Sequence, residues 1–78
     1  MSKYEKLLLK IKELDRDLRY EQLEKVLIKI GYKPSETGSS HVTFRKTGRS
    51  PITIARHIPL KKGAIEDVKG ALEEEGLL

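Results

Sequence analysis

Cysteine and tryptophan are both absent from the chain, and the aromatic residues amount to three tyrosines and one phenylalanine. Without thiols there is no disulfide framework and no cysteine-built zinc site. A fold this small must therefore be held by its apolar core, and a reducing, cytoplasmic setting is expected. Apolar runs stop at three residues, as at positions 7–9, where Lys10 follows at once, so neither a membrane-spanning helix nor the core of a signal peptide is present. The six glycines form no nucleotide-binding phosphate loop. Metal-ligand spacing is also missing: His41 and His57 stand far apart, and Glu73, Glu74 and Glu75 occupy successive helix positions that cannot converge on one ion. No metal and no cofactor is implied.

Against these absences stand 78 residues, enough for one domain with one small core. Charged residues make up 36% of the chain and apolar residues 37%, the balance of a folded domain with a heavily charged surface rather than of a disordered tail. The net charge of +4 conceals a segregation. Residues 1–30 carry eight Lys/Arg against six Asp/Glu, residues 31–62 seven against one, and residues 63–78 one against five. A basic middle points to a polyanionic substrate on one surface and leaves the acidic last segment for another purpose.

Hydrophobic periodicity predicts two opening helices. Tyr4, Leu7, Leu8, Ile11 and Leu14 follow one helical face, and Tyr20, Leu23, Val26, Leu27 and Ile30 follow another after the acid-rich break at residues 15–17. Gly31 supplies the left-handed stop of the second helix. A short strand over 32–36 contains Pro34, which lacks a backbone donor and argues for an edge position or a bend. A turn at Thr37 and Gly38 leads into a strand over 40–46, and a second turn at Thr47, Gly48 and Arg49 leads into a third strand over 52–54. Ile65, Val68 and Leu72 then recur at helical spacing over 61–76, with Gly76 as terminator and Gly70 read as a close helix contact. The expected fold class is α+β: a three-stranded antiparallel meander with helices on one face, in the order ααβββα. Of Tyr4, Tyr20, Tyr32 and Phe44, three fall on apolar faces and read as core rather than as base-stacking platforms.

Chemistry concentrates in the run Gly38-Ser39-Ser40-His41-Val42-Thr43-Phe44-Arg45. Alternation places Val42 and Phe44 on one side of a strand and His41, Thr43 and Arg45 on the other, so the imidazole is open to a substrate. RNA carries its own nucleophile, the 2′-hydroxyl beside each phosphodiester. A cleaving protein needs to hold the strand in line, move one proton and stabilise phosphoryl charge. A histidine, with an unperturbed pKa of about 6.5, suits proton transfer near neutrality. Lys33, Arg45, Lys46 and Arg49 are the cations nearest in sequence, and Arg45 shares the strand face of His41. Gly38 would admit a backbone amide close to a phosphate, and Ser39 or Ser40 would orient substrate or imidazole. His57, between Arg56 and Pro59, reads as structural.

With these residues in order, the stretch 20–78 resembles the HicA family, small toxins of type II toxin-antitoxin systems with a fold like that of double-stranded-RNA-binding domains. The likeness rests on the apolar helix ending at Gly31-Tyr32, the Gly-Ser-Ser-His run, Phe44 and Arg45, the strand Ile52-Thr53-Ile54 followed by His57, and Lys61-Lys62-Gly63 opening the last helix. Two serines stand here beside the histidine, and Ala55 occupies a place where the family often has proline. The helix within 1–15 is an addition to the core over 20–78. The resemblance implies a metal-independent mRNA interferase, an endoribonuclease with His41 as catalytic histidine and a HicB-like antitoxin as partner. The alternative is a non-catalytic RNA-binding module of the same fold.

Overall fold

The computed structural model describes residues 2–36, 40–56 and 60–78. In chain order the elements are α1 (Lys3–Lys12), α2 (Tyr20–Lys29), β1 (Lys33–Glu36), β2 (His41–Arg45), β3 (Ile52–Ala55) and α3 (Lys62–Glu74). The predicted order ααβββα and the antiparallel sheet, with strand order β1-β2-β3, are both found. The turn expected at Thr37 and Gly38 lies outside the described residues.

Local chemistry explains the helix limits. Ser2 caps α1 by accepting from the Glu5 amide at 3.1 Å, while the Glu5 carboxylate accepts from the Ser2 amide, which satisfies two otherwise orphaned donors. At the other end Leu14, expected on the helix, instead adopts a left-handed conformation (φ 56°), with the Asp15 amide donating to the Lys10 carbonyl at 2.9 Å. That closure ends α1 after Lys12, yet it still turns Leu14 onto the core. The same closure recurs at Gly31 (φ 102°), where the Tyr32 amide donates to the Leu27 carbonyl, and at Gly76 (φ 76°), where the Leu77 amide donates to the Leu72 carbonyl. Gly70 differs from expectation: a Cβ there would meet nothing, so it makes no close approach to a neighbour.

All three helices lie on one face of the sheet. Val42 and Phe44 from β2 and Ile52 and Ile54 from β3 point into them, with Leu23, Val26 and Leu27 from α2 and Ile65, Val68 and Leu72 from α3 completing the core. The Tyr20 ring leans on Phe44 at 6.3 Å between centroids. β1 is exposed along its whole length, as an edge strand bearing Pro34 should be. The first helix joins the same core through Ile11, which is fully buried, and its trailing loop is tied to the start of the last helix by Arg16 donating to the Leu60 carbonyl at 3.1 Å.

That burial makes α1 an integral part of the fold. Ile11→Ala should cost about 2–5 kcal/mol of unfolding free energy, the usual range for emptying a sealed aliphatic site. Urea denaturation measures it, and an unchanged midpoint would mean that α1 is dispensable.

Candidate active site on the outer sheet face

With Val42 and Phe44 sealed inward, His41, Thr43 and Arg45 must face away from the helices, and His41 and Arg45 are exposed. Register places cross-strand partners beside them: Lys33 opposite Arg45, Ser35 opposite Thr43, Thr53 on the other side of Thr43, and Ala55 opposite His41. Thr43 and Thr53 share a hydroxyl hydrogen bond of 3.1 Å at the centre of this face. The outer face thus has an imidazole at one end, a polar middle and a cationic far end.

Arg45 lies four residue steps beyond His41, a rise of about 13 Å along the strand. The structure brings all four sequence-predicted cations together at that far end, where Lys33, Arg45, Lys46 and Arg49 line a groove of about 460 Å³ with Gly31 and Pro51. His41 is not among its lining residues. A strand held there and at His41 would therefore run along β2, with the groove taking flanking phosphates rather than the one beside the imidazole.

The four cations are not equivalent. Lys46 lies on the inward-facing parity of β2 and donates to the Ile30 carbonyl at 2.6 Å and to Glu75 at 2.8 Å. Arg49 bonds Glu75 at 3.0 Å and approaches Glu74 at 3.3 Å. The last turn of α3 has no basic residue of its own, so its acids would oppose the helix dipole, and the β2–β3 turn supplies the missing cations. The expectation that the acidic segment is left for a separate purpose is thereby corrected: its end is spent on Lys46 and Arg49. Lys33 and Arg45 have no acidic partner among the described residues.

One residue past the pair formed by His41 and Ala55, the Arg56 amide donates to the Ser40 carbonyl at 2.9 Å and extends the pairing, while the parity of Ile52 and Ile54 turns the Arg56 side chain to the helical side of the sheet, away from His41. Its guanidinium is bonded to Glu36 and lies 5.2 Å from the centre of the Tyr20 ring. Tyr20 and Glu36 hold that guanidinium still more firmly protonated than usual. Burial, followed by the hydrogen bond to Glu24, pushes the Tyr20 hydroxyl up from its ordinary value. The sequence gives no sign that the Arg56 backbone pairs with Ser40 while its guanidinium joins Glu36 and Tyr20. Only the register shows that it stands beside Ser40, because nothing local in the sequence fixes how β2 and β3 align. Gly38, Ser39 and His57 lie outside the described residues. Among the described residues no group of three acidic, histidine or cysteine side chains could hold a metal ion, and no helix is long and apolar enough to cross a membrane.

Comparison with known families finds a match over residues 20–76 to a model described as the HicA toxin of bacterial toxin-antitoxin. No curated protein and no solved structure matches the chain.

The Lys46 ammonium, and then the Arg49 guanidinium, hold the Glu75 carboxyl below its ordinary value of 4.5. The stability this carboxylate contributes is complete above that value and is lost as pH falls through the depressed one. Glu75→Gln should therefore flatten the acid limb of a plot of denaturation midpoint against pH, and salt should blunt the difference because the side chains are partly exposed. Identical acid limbs in the two proteins would show that the cluster contributes nothing to stability.

Proposed function

The chain belongs to the HicA family of toxins of bacterial toxin-antitoxin systems, and from that premise we propose that it is a metal-independent endoribonuclease, an mRNA interferase, whose catalytic residue is His41. The observation that carries this reading is the exposed imidazole at the head of β2, on the same sheet face as the cations Lys33 and Arg45. In the proposed reaction the imidazole takes the proton of the 2′-hydroxyl, and the 2′-oxygen bonds to phosphorus. The bond from phosphorus to the 5′-oxygen breaks, and that oxygen takes a proton from water. Products are a 2′,3′-cyclic phosphate and a 5′-hydroxyl. The protein's work is then to hold the strand along β2 and to place one base, which is consistent with so small a site.

Lys33 and Arg45 bind phosphates in this reading, and Ser40, with Gly38 and Ser39 in the preceding segment, orients the reacting nucleotide. Lys46 and Arg49 shape the groove and hold it to α3. A HicB-like antitoxin restrains the toxin by covering the outer face and presenting acidic groups to Lys33 and Arg45, in competition with RNA.

His41→Ala should lower cleavage by about a hundred- to ten-thousand-fold without loss of fold, since it removes proton transfer and leaves the core intact. Labelled RNA incubated in excess chelator measures this, and the wild type should leave cyclic-phosphate ends. Cleavage at the wild-type rate by the variant would remove His41 from catalysis, whereas RNA binding without cleavage by the wild type would favour the RNA-binding module. Products with 3′-hydroxyl ends would exclude the 2′-hydroxyl as nucleophile.

Binding of single-stranded RNA to the His41→Ala protein, followed against salt, separates the cations. Neutralising Lys33 and Arg45 should reduce the slope of log affinity against log salt by about 0.7 for each phosphate that the variant no longer neutralises. Neutralising Lys46 and Arg49 should lower stability and leave the slope nearly unchanged. The reverse pattern would assign phosphate binding to the residues bonded to α3. Saturating antitoxin should displace the RNA in the same titration, and undiminished RNA affinity would refute occlusion.

A further inference from the structure

The largest group of cations without acidic partners among the described residues lies away from the proposed active site. Lys3, Lys6 and Lys10 from α1 and Lys25 and Lys29 from α2 line a groove of about 570 Å³ between the two helices. All five are exposed, none has an acidic partner among the described residues, and no acidic residue lines the groove. This contrasts with Lys46, Arg49 and Arg56, each bonded to a glutamate of the same chain. Like charges three and four residues apart on one helix repel, so this face carries a cost that an anionic occupant would relieve.

Between the lysines the groove is apolar. Tyr4 and Leu7 are half-buried within it, and the Lys29 ammonium lies 4.0 Å from the centre of the Tyr4 ring. An apolar strip rimmed by point charges of one sign is the complement of an amphipathic helix with leucine-like anchors and acidic flanks. We propose that the α1–α2 groove is a docking site for an acidic amphipathic helix of a partner protein. Toxin-antitoxin pairing makes a protein partner the natural class, and to that extent the proposal rests on family membership, not on catalysis by His41. One wall of the groove, α1, lies outside the residues matched by the family model, so the site belongs to this chain's added helix rather than to the shared core.

Two other occupants fit less well. RNA held at His41 lies on the outer sheet face, whereas the groove belongs to the helical layer behind it, and an apolar floor offers nothing to a phosphate backbone. A second copy of the chain could bring the exposed Glu66, Asp67 and Glu73 of α3, but the apolar residues of that helix, Ile65, Val68, Ala71 and Leu72, are already buried in their own core.

The test uses a labelled peptide with leucine at i, i+3 and i+7 and glutamate elsewhere, titrated into the intact protein without RNA or antitoxin. Binding should shift the NMR signals of Tyr4, Leu7 and Gln22, be matched by the His41→Ala protein, and weaken at least about tenfold in Lys6→Glu, Lys25→Glu, Lys29→Glu. These side chains are exposed, so the triple variant should keep the fold. A peptide with serine for leucine should also lose affinity. Equal binding by that peptide, or displacement of the leucine peptide by an RNA oligomer, would mean a general polyanion track and overturn the proposal. No binding at millimolar peptide would overturn it, and so would self-association of the protein abolished by the same three substitutions. A failed RNA-cleavage assay leaves all these readouts intact, so the two readings fail separately.

Discussion

Val42 and Phe44 are sealed against the helical layer, and because side chains alternate along a strand, that burial alone sends His41, Thr43 and Arg45 to the outer face. A slip of one residue would bury the imidazole and the guanidinium and expose the phenylalanine, so the core enforces the register on which the outer face depends. Pairing carries the constraint outward. Lys33 is brought beside Arg45 by β1, and Thr53 beside Thr43 by β3, so the face combines residues from three strands although the packing force acts mainly through two. The exposed edge strand can be short and contain proline because its contribution to this face is positional.

The distribution of charge follows a different logic. Of the cations in the middle of the chain, Lys46 and Arg49 are bonded by the acidic end of α3 and Arg56 by Glu36, leaving Lys33 and Arg45 on the sheet, and Lys61 and Lys62 at the start of α3, without an acidic partner among the described residues. Cations of the first kind join the β2–β3 turn to the helix and close the sheet's free end. Those of the second kind are available to an external anion. The helical layer shows the opposite arrangement, with five lysines around an apolar groove and no acid lining it. Net charge by segment therefore misjudges both surfaces: the segment of greatest positive charge is partly neutralised internally, while the nearly balanced first segment projects its lysines together and turns its acids elsewhere.

The match to the HicA family covers residues 20–76, and the residues before it join the same core through two fully buried side chains, Ile11 and Leu18, and the loop hydrogen bond from Arg16 to the Leu60 carbonyl. These interactions seat α1 firmly enough to form a wall of the groove. Helix α1, which lies before the matched residues, thus serves two physical ends, contributing Ile11 to a small core and forming one wall of the lysine-lined groove.

Element order, the edge position of β1, the stop at Gly31 and the outward direction of His41 are all legible in the sequence, because each depends on neighbours a few residues away: periodicity, a missing proline donor, a glycine free to turn left-handed. Leu14 escapes the same local reading, since a non-glycine residue in a left-handed turn carries no signal in its identity. Everything that depends on which distant residues meet is decided by tertiary structure. Arg56 beside Ser40 is a matter of register, Lys46 and Arg49 on Glu75 a matter of where α3 ends, and the lysine groove a matter of how two helices sit side by side. Local rules bind residues within a turn or a strand. Ion pairs and grooves form between residues tens of positions apart, where only the packed chain specifies the distance.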